Sequence, residues 1–211
     1  MAFSSVSSML DACKQSGRPL YEVILESDLA ESGLTRAESE AEMHRLWDVM
    51  CATSAGYCGT DRSMSGYAGG DAAKVAQAAG EGRLYADGYF AAVMAEALKT
   101  AECNACMKRI VAAPTAGSCG VLPAVLLPLF RAGRADEDAV CRALYVAAGF
   151  GQVVAARATL AGAEGGCQAE VGAASAMAAA ALTVLKNGTP EQAAEAFAMA
   201  LTNLEGLVCD P

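Results

Sequence analysis

Residues 136–157 read DEDAVCRALYVAAGFGQVVAAR, and this stretch decides the fold class. Its apolar run from Ala143 to Ala156 is nearly continuous and is bounded by Arg142 and Arg157. The run is shorter than the ~20 residues that a membrane span requires, so we interpret it as part of a buried core helix. Because its residues are mostly small, neighbouring helices are expected to pack closely against it.

Capping signals and apolar spacing predict further helices on both sides of this one. Residues 35–38 (Thr-Arg-Ala-Glu) have the form of a capping box, and Thr189 followed by Pro190 is typical of a helix start. No run alternates between apolar and polar residues over the length of a strand. The sequence therefore predicts an all-α fold, a compact bundle of about eight helices with Gly-rich loops between them. The helix from Tyr89 is expected to extend to Ala113, or to leave helical structure at residues 111–113 before Pro114, and the last helix is expected to extend to about Leu207.

Length, charge and cysteine content indicate how many domains the chain has, which partners are excluded and which compartment suits it. The 211 residues suit a single domain, with N-terminal helices at about 1–56 and a motif-bearing region at about 57–211. With 15 basic and 24 acidic residues the net charge is −9, which argues against nucleic acid or an anionic membrane as a partner. Met1–Leu10 lacks the features of a secretory signal, and nine cysteines suit a reducing compartment, so we expect a cytoplasmic protein.

Three Gly-rich loops, each placed before a predicted helix, are the main candidates for a binding site. They lie at 56–70, 114–120 and 161–167. The start of a helix presents N–H groups that bind carboxylate or phosphate. Each loop by itself is equally well explained as a tight connection between helices. Three such loops in one chain favour a small-anion site, although none has the phosphate-binding pattern G-x-x-x-x-G-K-[ST].

Most of the cysteines have a structural explanation. Cys13, Cys51 and Cys141 fall inside helical patterns, where cysteine serves as a small core residue. Cys103 and Cys106 form a C-x-x-C, but no second pair completes a zinc site. Two helical thiols are the simpler interpretation, with zinc binding or thiol-redox chemistry left open.

The remaining cysteines lie in or beside loops. Cys58 and Cys119 are ambiguous between structural and reactive roles. Cys167 lies in a Gly-Gly segment and Cys209 follows the end of a helix, so both thiolates are placed where a metal can reach them. His44 is the single histidine and is expected to be solvated or half-buried rather than a ligand.

Three strings of residues carry a resemblance to a known family. They are APTAGSCGVLP at 113–123, GAEGGCQAEVG at 162–172 and GLVCDP at 206–211. In this order they resemble the iron–sulfur-dependent L-serine dehydratases (L-serine ammonia-lyases), in the alpha subunit or alpha domain. The Gly-rich segment 65–74 and the pair Asn104-Ala105 are also similar to that family. The resemblance covers the chain from about Ser63 onward and, more weakly, the N-terminal helices.

The resemblance implies a helical lyase that converts L-serine to ammonia and pyruvate, a precursor for gluconeogenesis. It also implies an oxygen-sensitive 4Fe–4S cluster held by three cysteines, whose open iron acts as a Lewis acid on the serine hydroxyl. Carried over, Cys167 is the first metal ligand and Cys209 the second. The family pattern C-D-P-x-x-G-x-x-x-x-x-C places the third ligand at position 220, beyond Pro211. We therefore expect a fragment that cannot hold the cluster alone.

Dehydration needs further groups, for the substrate carboxylate and for the proton on Cα. The loop 114–120 is expected to bind the carboxylate through its N–H groups and hydroxyls. The substrate-binding residues are predicted to be Asn104, Thr115, Gly117 and Ser118. Lys74 and Ser65 are the predicted catalytic residues, because they lie in a matching motif and because a buried lysine can act as a base near neutral pH. A purely structural role for Lys74 is the alternative.

The expected partners are L-serine and a serine dehydratase beta subunit, in a homo- or hetero-oligomer. The beta part is expected to be a separate chain, because alpha-type helices directly follow Met1. A second hypothesis is a non-catalytic helical module that binds the beta subunit. A weaker one is a thiol-redox or zinc protein that uses Cys103 and Cys106. Iron and sulfide analysis with a serine assay separates the first two, and stoichiometric zinc would support the third.

Overall fold

The computed structural model describes residues 3–86 and 88–208, and over these residues its regular structure is helical with no strand. This confirms the all-α prediction. The helices are α1 (Val6–Ser16), α2 (Leu20–Ser32), α3 (Arg36–Ala55), α4 (Asp71–Gly80), α5 (Gly88–Ala105), α6 (Val121–Arg131), α7 (Glu137–Arg157), α8 (Gly162–Cys167), α9 (Ala173–Leu185) and α10 (Pro190–Thr202), with a π-helical turn at Gln168–Gly172 between α8 and α9.

The predicted capping signals are found at the helix starts. Thr35 and Glu38 form a reciprocal capping box, in which the Thr35 N–H donates to Glu38 Oε2 at 2.9 Å and the Glu38 N–H donates to Thr35 Oγ1 at 3.3 Å. Thr189 forms the same arrangement with Gln192. The reciprocal bonds satisfy N–H groups that lack partners within the helix, which is why these short motifs fix helix boundaries.

The chain divides into two compact units. The first unit consists of Met1–Arg45 and Ala135–Pro211, and the second of Leu46–Arg134. Helix α3 begins in the first unit and ends in the second. The expected single domain with a division near residue 56 stays a prediction.

The first unit is built around α7 and α9, whose buried faces consist largely of small residues. Gly149 of α7 lies so close to α2 that a Cβ at this position would be 2.6 Å from Cδ1 of Ile24. Phe150 stacks on Phe197 of α10 with ring centroids 4.8 Å apart. The small residues bring the backbones together, and the rings fill the remaining core, as close packing requires.

Two stretches of the first unit are long and apolar enough to cross a membrane by length and composition. They are Glu137–Arg157 and Gly162–Leu185, and 61% and 50% of their most apolar windows are buried inside the protein. Core helices of soluble proteins have the same properties, so this is weak support for a membrane span. In α7 the buried residues include Val140, Val146 and Phe150, as expected for a core helix.

The second unit contains a buried ionic cluster among α3, α5 and α6. Glu96 is 4% exposed, and its Oε1 accepts bonds from Lys99 Nζ and Arg131 Nη1, both at 2.6 Å. Its Oε2 accepts a bond from the Ser54 hydroxyl, which Arg131 also contacts. Burial alone would raise the pKa of Glu96, but the bonds from Lys99 and Ser54 and the charge of Arg131 together lower it.

Two predicted helix ends are wrong. Helix α5 stops at Ala105 rather than Ala113, because the chain closes a Schellman turn: Lys108 N–H donates to Cys103 O at 2.9 Å and Met107 N–H to Asn104 O at 3.0 Å. Met107 takes the left-handed position (φ 59°) that glycine usually holds, so the sequence carries no stop signal there. Helix α10 ends at Thr202 rather than Leu207.

Candidate active site

The first Gly-rich loop, residues 56–70, folds tightly against itself before α4. At Gly69, where φ is +125°, a Cβ would lie 2.2 Å from the carbonyl oxygen of Asp61. Gly70 also has a positive φ, of +88°, and is the residue that precedes α4. Only glycine fits both positions, so the loop is specified by backbone geometry. Asp71 is the first residue of α4.

The start of α4 is occupied by a carboxylate of the protein itself. Glu102 of α5 is 6% exposed, and it accepts bonds from the N–H groups of Gly70 (2.9 Å), Asp71 (2.7 Å) and Ala72 (3.2 Å). The Tyr57 hydroxyl donates a fourth bond to it at 2.6 Å. Burial, followed by this bond to Glu102, raises the pKa of Tyr57 to about 12.

This arrangement corrects part of the prediction made for the loops. The N–H groups of α4 do bind a carboxylate, as helix starts favour, but the carboxylate belongs to Glu102 and is not a ligand. Sequence reasoning missed Glu102. No sequence signal marks it, because its contacts join residues 30 to 45 positions apart in the chain.

The two predicted catalytic residues both face solvent. Lys74 Nζ binds Asp71 Oδ1 at 2.7 Å, and 74% of its side chain is exposed. Ser65 is exposed, and its hydroxyl lies 3.1 Å from the hydroxyl of Ser63. Among the described contacts none joins Lys74 to Ser65, so the structure does not bring them together. Lys74 also lacks the burial on which its proposed role as a base relied.

The predicted substrate-binding residues do converge on the second Gly-rich loop. Asn104, at the end of α5, donates from Nδ2 to the carbonyl of Ala116 at 3.0 Å. Thr115 Oγ1 lies 3.2 Å from the hydroxyl of Ser118. Gly117 is exposed at the tip, and the peptide bond before Pro114 is cis. The side chains that hold the loop are thus among those predicted from the sequence to bind the substrate.

Within this loop the four residues have different roles. Ser118 is 2% exposed, and its hydroxyl lies within 3.4 Å of the carbonyl groups of Ala113 and Thr115, so it shapes the loop. Thr115 and Asn104 are half-buried and Gly117 is exposed, so these three are more accessible to solvent than Ser118. Helix α6 begins directly after the loop with no side-chain cap, which places its positive end near those groups.

The third Gly-rich segment is helical where a loop was predicted. Helix α8 (Gly162–Cys167) contains Gly166 in a non-helical conformation (φ 65°, ψ −164°) that only glycine adopts readily. The π-helical turn Gln168–Gly172 follows at once, and such turns are frequent at functional sites. Cys167 lies exposed between the kink and the π turn. The kink therefore presents this thiol to solvent from a defined backbone.

Only one of the two predicted metal ligands can be located. Cys209 lies outside the described residues, and within 3–86 and 88–208 no group of three or more His, Cys, Asp or Glu side chains is arranged to hold a metal. Next to Cys167, the buried Oε1 of Gln168 has no hydrogen-bond partner. The exposed thiol of Cys167 on its glycine kink fits one ligand of a cluster, because thiolates are the usual ligands of iron–sulfur clusters.

The family of the chain follows from its similarity to known protein families. Residues 15–211 match the family model described as serine dehydratase alpha chain. The chain belongs to the serine dehydratase alpha chain family. The match includes all three Gly-rich segments and every residue that the sequence had selected for the site.

Individual relatives agree with this alpha-chain assignment. The chain is similar to the L-serine dehydratase alpha chain of Peptoniphilus asaccharolyticus, with 39% identity over 99% of this chain and 72% of the relative. It is 38% identical to the probable L-serine dehydratase alpha chain of Bacillus subtilis, over 99% of this chain and 70% of the relative. The L-serine dehydratase TdcG of Escherichia coli is 33% identical, over 99% of this chain and 47% of the relative.

Proposed function

We propose that this protein is the alpha chain of an L-serine dehydratase, which converts L-serine to pyruvate and ammonia. The observation that carries the proposal is the similarity along 99% of the chain to proteins of that name at 38–39% identity. The matched residues 15–211 span every position proposed below for the substrate and for the first two cluster ligands.

The loop 114–120 is the proposed site for the substrate carboxylate. Thr115 offers a hydroxyl and Gly117 an exposed backbone, while the start of α6 adds a partial positive charge. Asn104 holds the loop through Ala116 and lies at its edge. Because Ser118 is buried, its proposed contribution is to fix the conformation of Thr115 rather than to bind serine directly.

Cys167 and Cys209 are the proposed ligands of a 4Fe–4S cluster. The exposed position of Cys167 on a glycine kink supports this, while Cys209 rests on the sequence motif alone. A third cysteine at position 220, beyond the sequence printed here, would complete the set. When bound, such a cluster supplies a Lewis acid for the serine hydroxyl.

Lys74 and Ser65 are the proposed candidates for the base that takes the proton from Cα of serine. Both are exposed, so a bound substrate or partner chain would have to cover them during catalysis. If Lys74 is the base, Lys74→Ala in the complete protein should lower kcat by about 100-fold or more. Lys14→Ala, at another lysine that forms a surface ion pair, is the control. A kcat near that of the wild type would remove Lys74 from the mechanism.

The proposed partners follow from the family. An alpha chain implies a beta chain, with L-serine as the small-molecule ligand, in an oligomer that works in the cytoplasm. The net charge of −9 supports the exclusion of nucleic acid and of anionic membranes as partners.

The proposal is tested with the complete protein and its beta chain after anaerobic reconstitution with iron and sulfide. We expect pyruvate and ammonia to form from L-serine in equal amounts. A complex that assembles and contains iron and sulfide but yields no pyruvate would contradict the proposal. That result would favour the alternative of a non-catalytic helical module that binds the beta chain.

A further inference from the structure

The second unit contains a recess that the proposed function does not use, between residues 57–61 and the end of α5. Two sets of contacts hold its walls together. On one side the Tyr57 hydroxyl binds Glu102 at 2.6 Å. On the other, Lys108 Nζ binds Asp61 Oδ2 at 2.5 Å and the carbonyl of Gly56 at 3.0 Å. Glu102 and Lys108 therefore both hold residues 56–61 against the end of α5.

Cysteines lie between these two sets of contacts on both segments. Cys58 lies between Tyr57 and Asp61, and Cys106 lies between Glu102 and Lys108. Both line the same shallow recess, together with Cys103. Cys58 and Cys106 therefore belong to two different segments of the chain that line one recess.

The three thiols differ in access to solvent. Cys58 is exposed and Cys106 is half-buried, whereas Cys103 is 1% exposed and its Sγ lies 3.7 Å from the carbonyl oxygen of Thr53. The C-x-x-C motif at 103–106 therefore offers only one accessible thiol. The accessible pair is Cys58 and Cys106, a pairing that sequence spacing does not reveal.

The environments of the thiols favour Cys58 as the reactive one. The hydroxyl of Thr60 lies 3.1 Å from its sulfur, and this hydrogen bond lowers the pKa of Cys58. Burial raises the pKa of Cys103. The thiolate is the nucleophile in sulfur chemistry, so an oxidant should meet Cys58 first.

We propose that Cys58 and Cys106 form a reversible disulfide when the protein meets hydrogen peroxide. The Cys58 thiolate attacks one peroxide oxygen, the O–O bond breaks, and with one proton the other oxygen leaves as water, giving a sulfenic acid. The Cys106 sulfur then attacks the Cys58 sulfur, and the hydroxyl leaves with the Cys106 proton as a second water. Overall the two thiols lose two electrons, and one molecule of peroxide gains them. A dithiol such as dithiothreitol reduces the disulfide back to the two thiols.

The bridge is tested by peptide mapping of the complete protein after treatment with hydrogen peroxide. Cleavage after Lys and Arg gives one peptide, 46–62, that holds both Cys51 and Cys58, and another, 100–108, that holds both Cys103 and Cys106. The informative protein is therefore the double variant Cys51→Ser/Cys103→Ser. In it a link between the two peptides can only join Cys58 to Cys106.

We expect the linked peptides in the wild type and in this double variant, and their loss on addition of dithiothreitol. Adding Cys58→Ser or Cys106→Ser to the double variant should abolish the link, while circular dichroism verifies that each variant is folded. The proposal is overturned if the double variant shows no link. It is equally overturned if the wild type joins these peptides only through Cys51 or Cys103.

Discussion

At the scale of single residues, Glu102 is the side chain on which the second unit most depends. Its carboxylate accepts four hydrogen bonds, three of them from the start of α4. Glu102→Gln replaces one acceptor oxygen by an NH₂ group that faces N–H donors. We expect a loss of about 2–3 kcal/mol in the free energy of unfolding, because buried donors lose their acceptor. Urea denaturation measures it, and exposed Glu195→Gln is the control. Equal stability of both variants would contradict the role given to Glu102.

Glu96 predicts a pH dependence of stability. Its pKa in the folded protein is lowered from the ordinary value of 4.5 by bonds that outweigh burial. The carboxylate therefore stabilises the fold above pH 4.5, and the gain is lost as the pH falls through the lowered value. Glu96→Gln should cost about 2 kcal/mol at pH 7, less than for a fully buried pair because Arg131 is 44% exposed. The difference from the wild type should shrink at acid pH. A difference that is independent of pH would contradict the assignment.

At the scale of elements, the contact between helices α7 and α2 in the first unit depends on a glycine, which has no Cβ. A Cβ at Gly149 would lie within 3.0 Å of three atoms of the buried Ile24. Gly149→Ala should therefore destabilise the protein by about 1–3 kcal/mol, although alanine favours helix by ~1 kcal/mol. Gly80→Ala in α4, where no atom lies within 4 Å, is the matched control and should be neutral or stabilising. Thermal unfolding of the two variants checks this, and a more stable Gly149→Ala would contradict the packing.

The elements also show what the sequence could and could not predict. Helices with local signals were placed correctly, as at Thr35 and Thr189, because their caps involve residues three positions apart. The end of α5 was missed because Met107 closes the turn without glycine. The kink at Gly166 was expected as a loop, since glycine density does not distinguish a loop from an interrupted helix.

For the candidate site, too, some features could be predicted from the sequence and others could not. The resemblance selected Asn104, Thr115 and Ser118, and the structure brings these together in one loop. Glu102 and the pairing of Cys58 with Cys106 depend on contacts between distant parts of the chain. No short motif encodes such contacts, so these two features could be found only from the structure.

At the scale of the whole molecule, the proposed serine dehydratase function depends on Cys167 as a ligand of the cluster. The most direct test compares wild type, Cys167→Ser and Cys58→Ser in the complete protein with its beta chain, after anaerobic reconstitution. Cys58 is an exposed cysteine like Cys167 and serves as the matched control. The measurement is pyruvate formed from L-serine, together with iron and sulfide content. We predict pyruvate formation by wild type and Cys58→Ser, and loss of both the cluster and pyruvate formation in Cys167→Ser. Full iron and sulfide with wild-type turnover in Cys167→Ser would contradict the account.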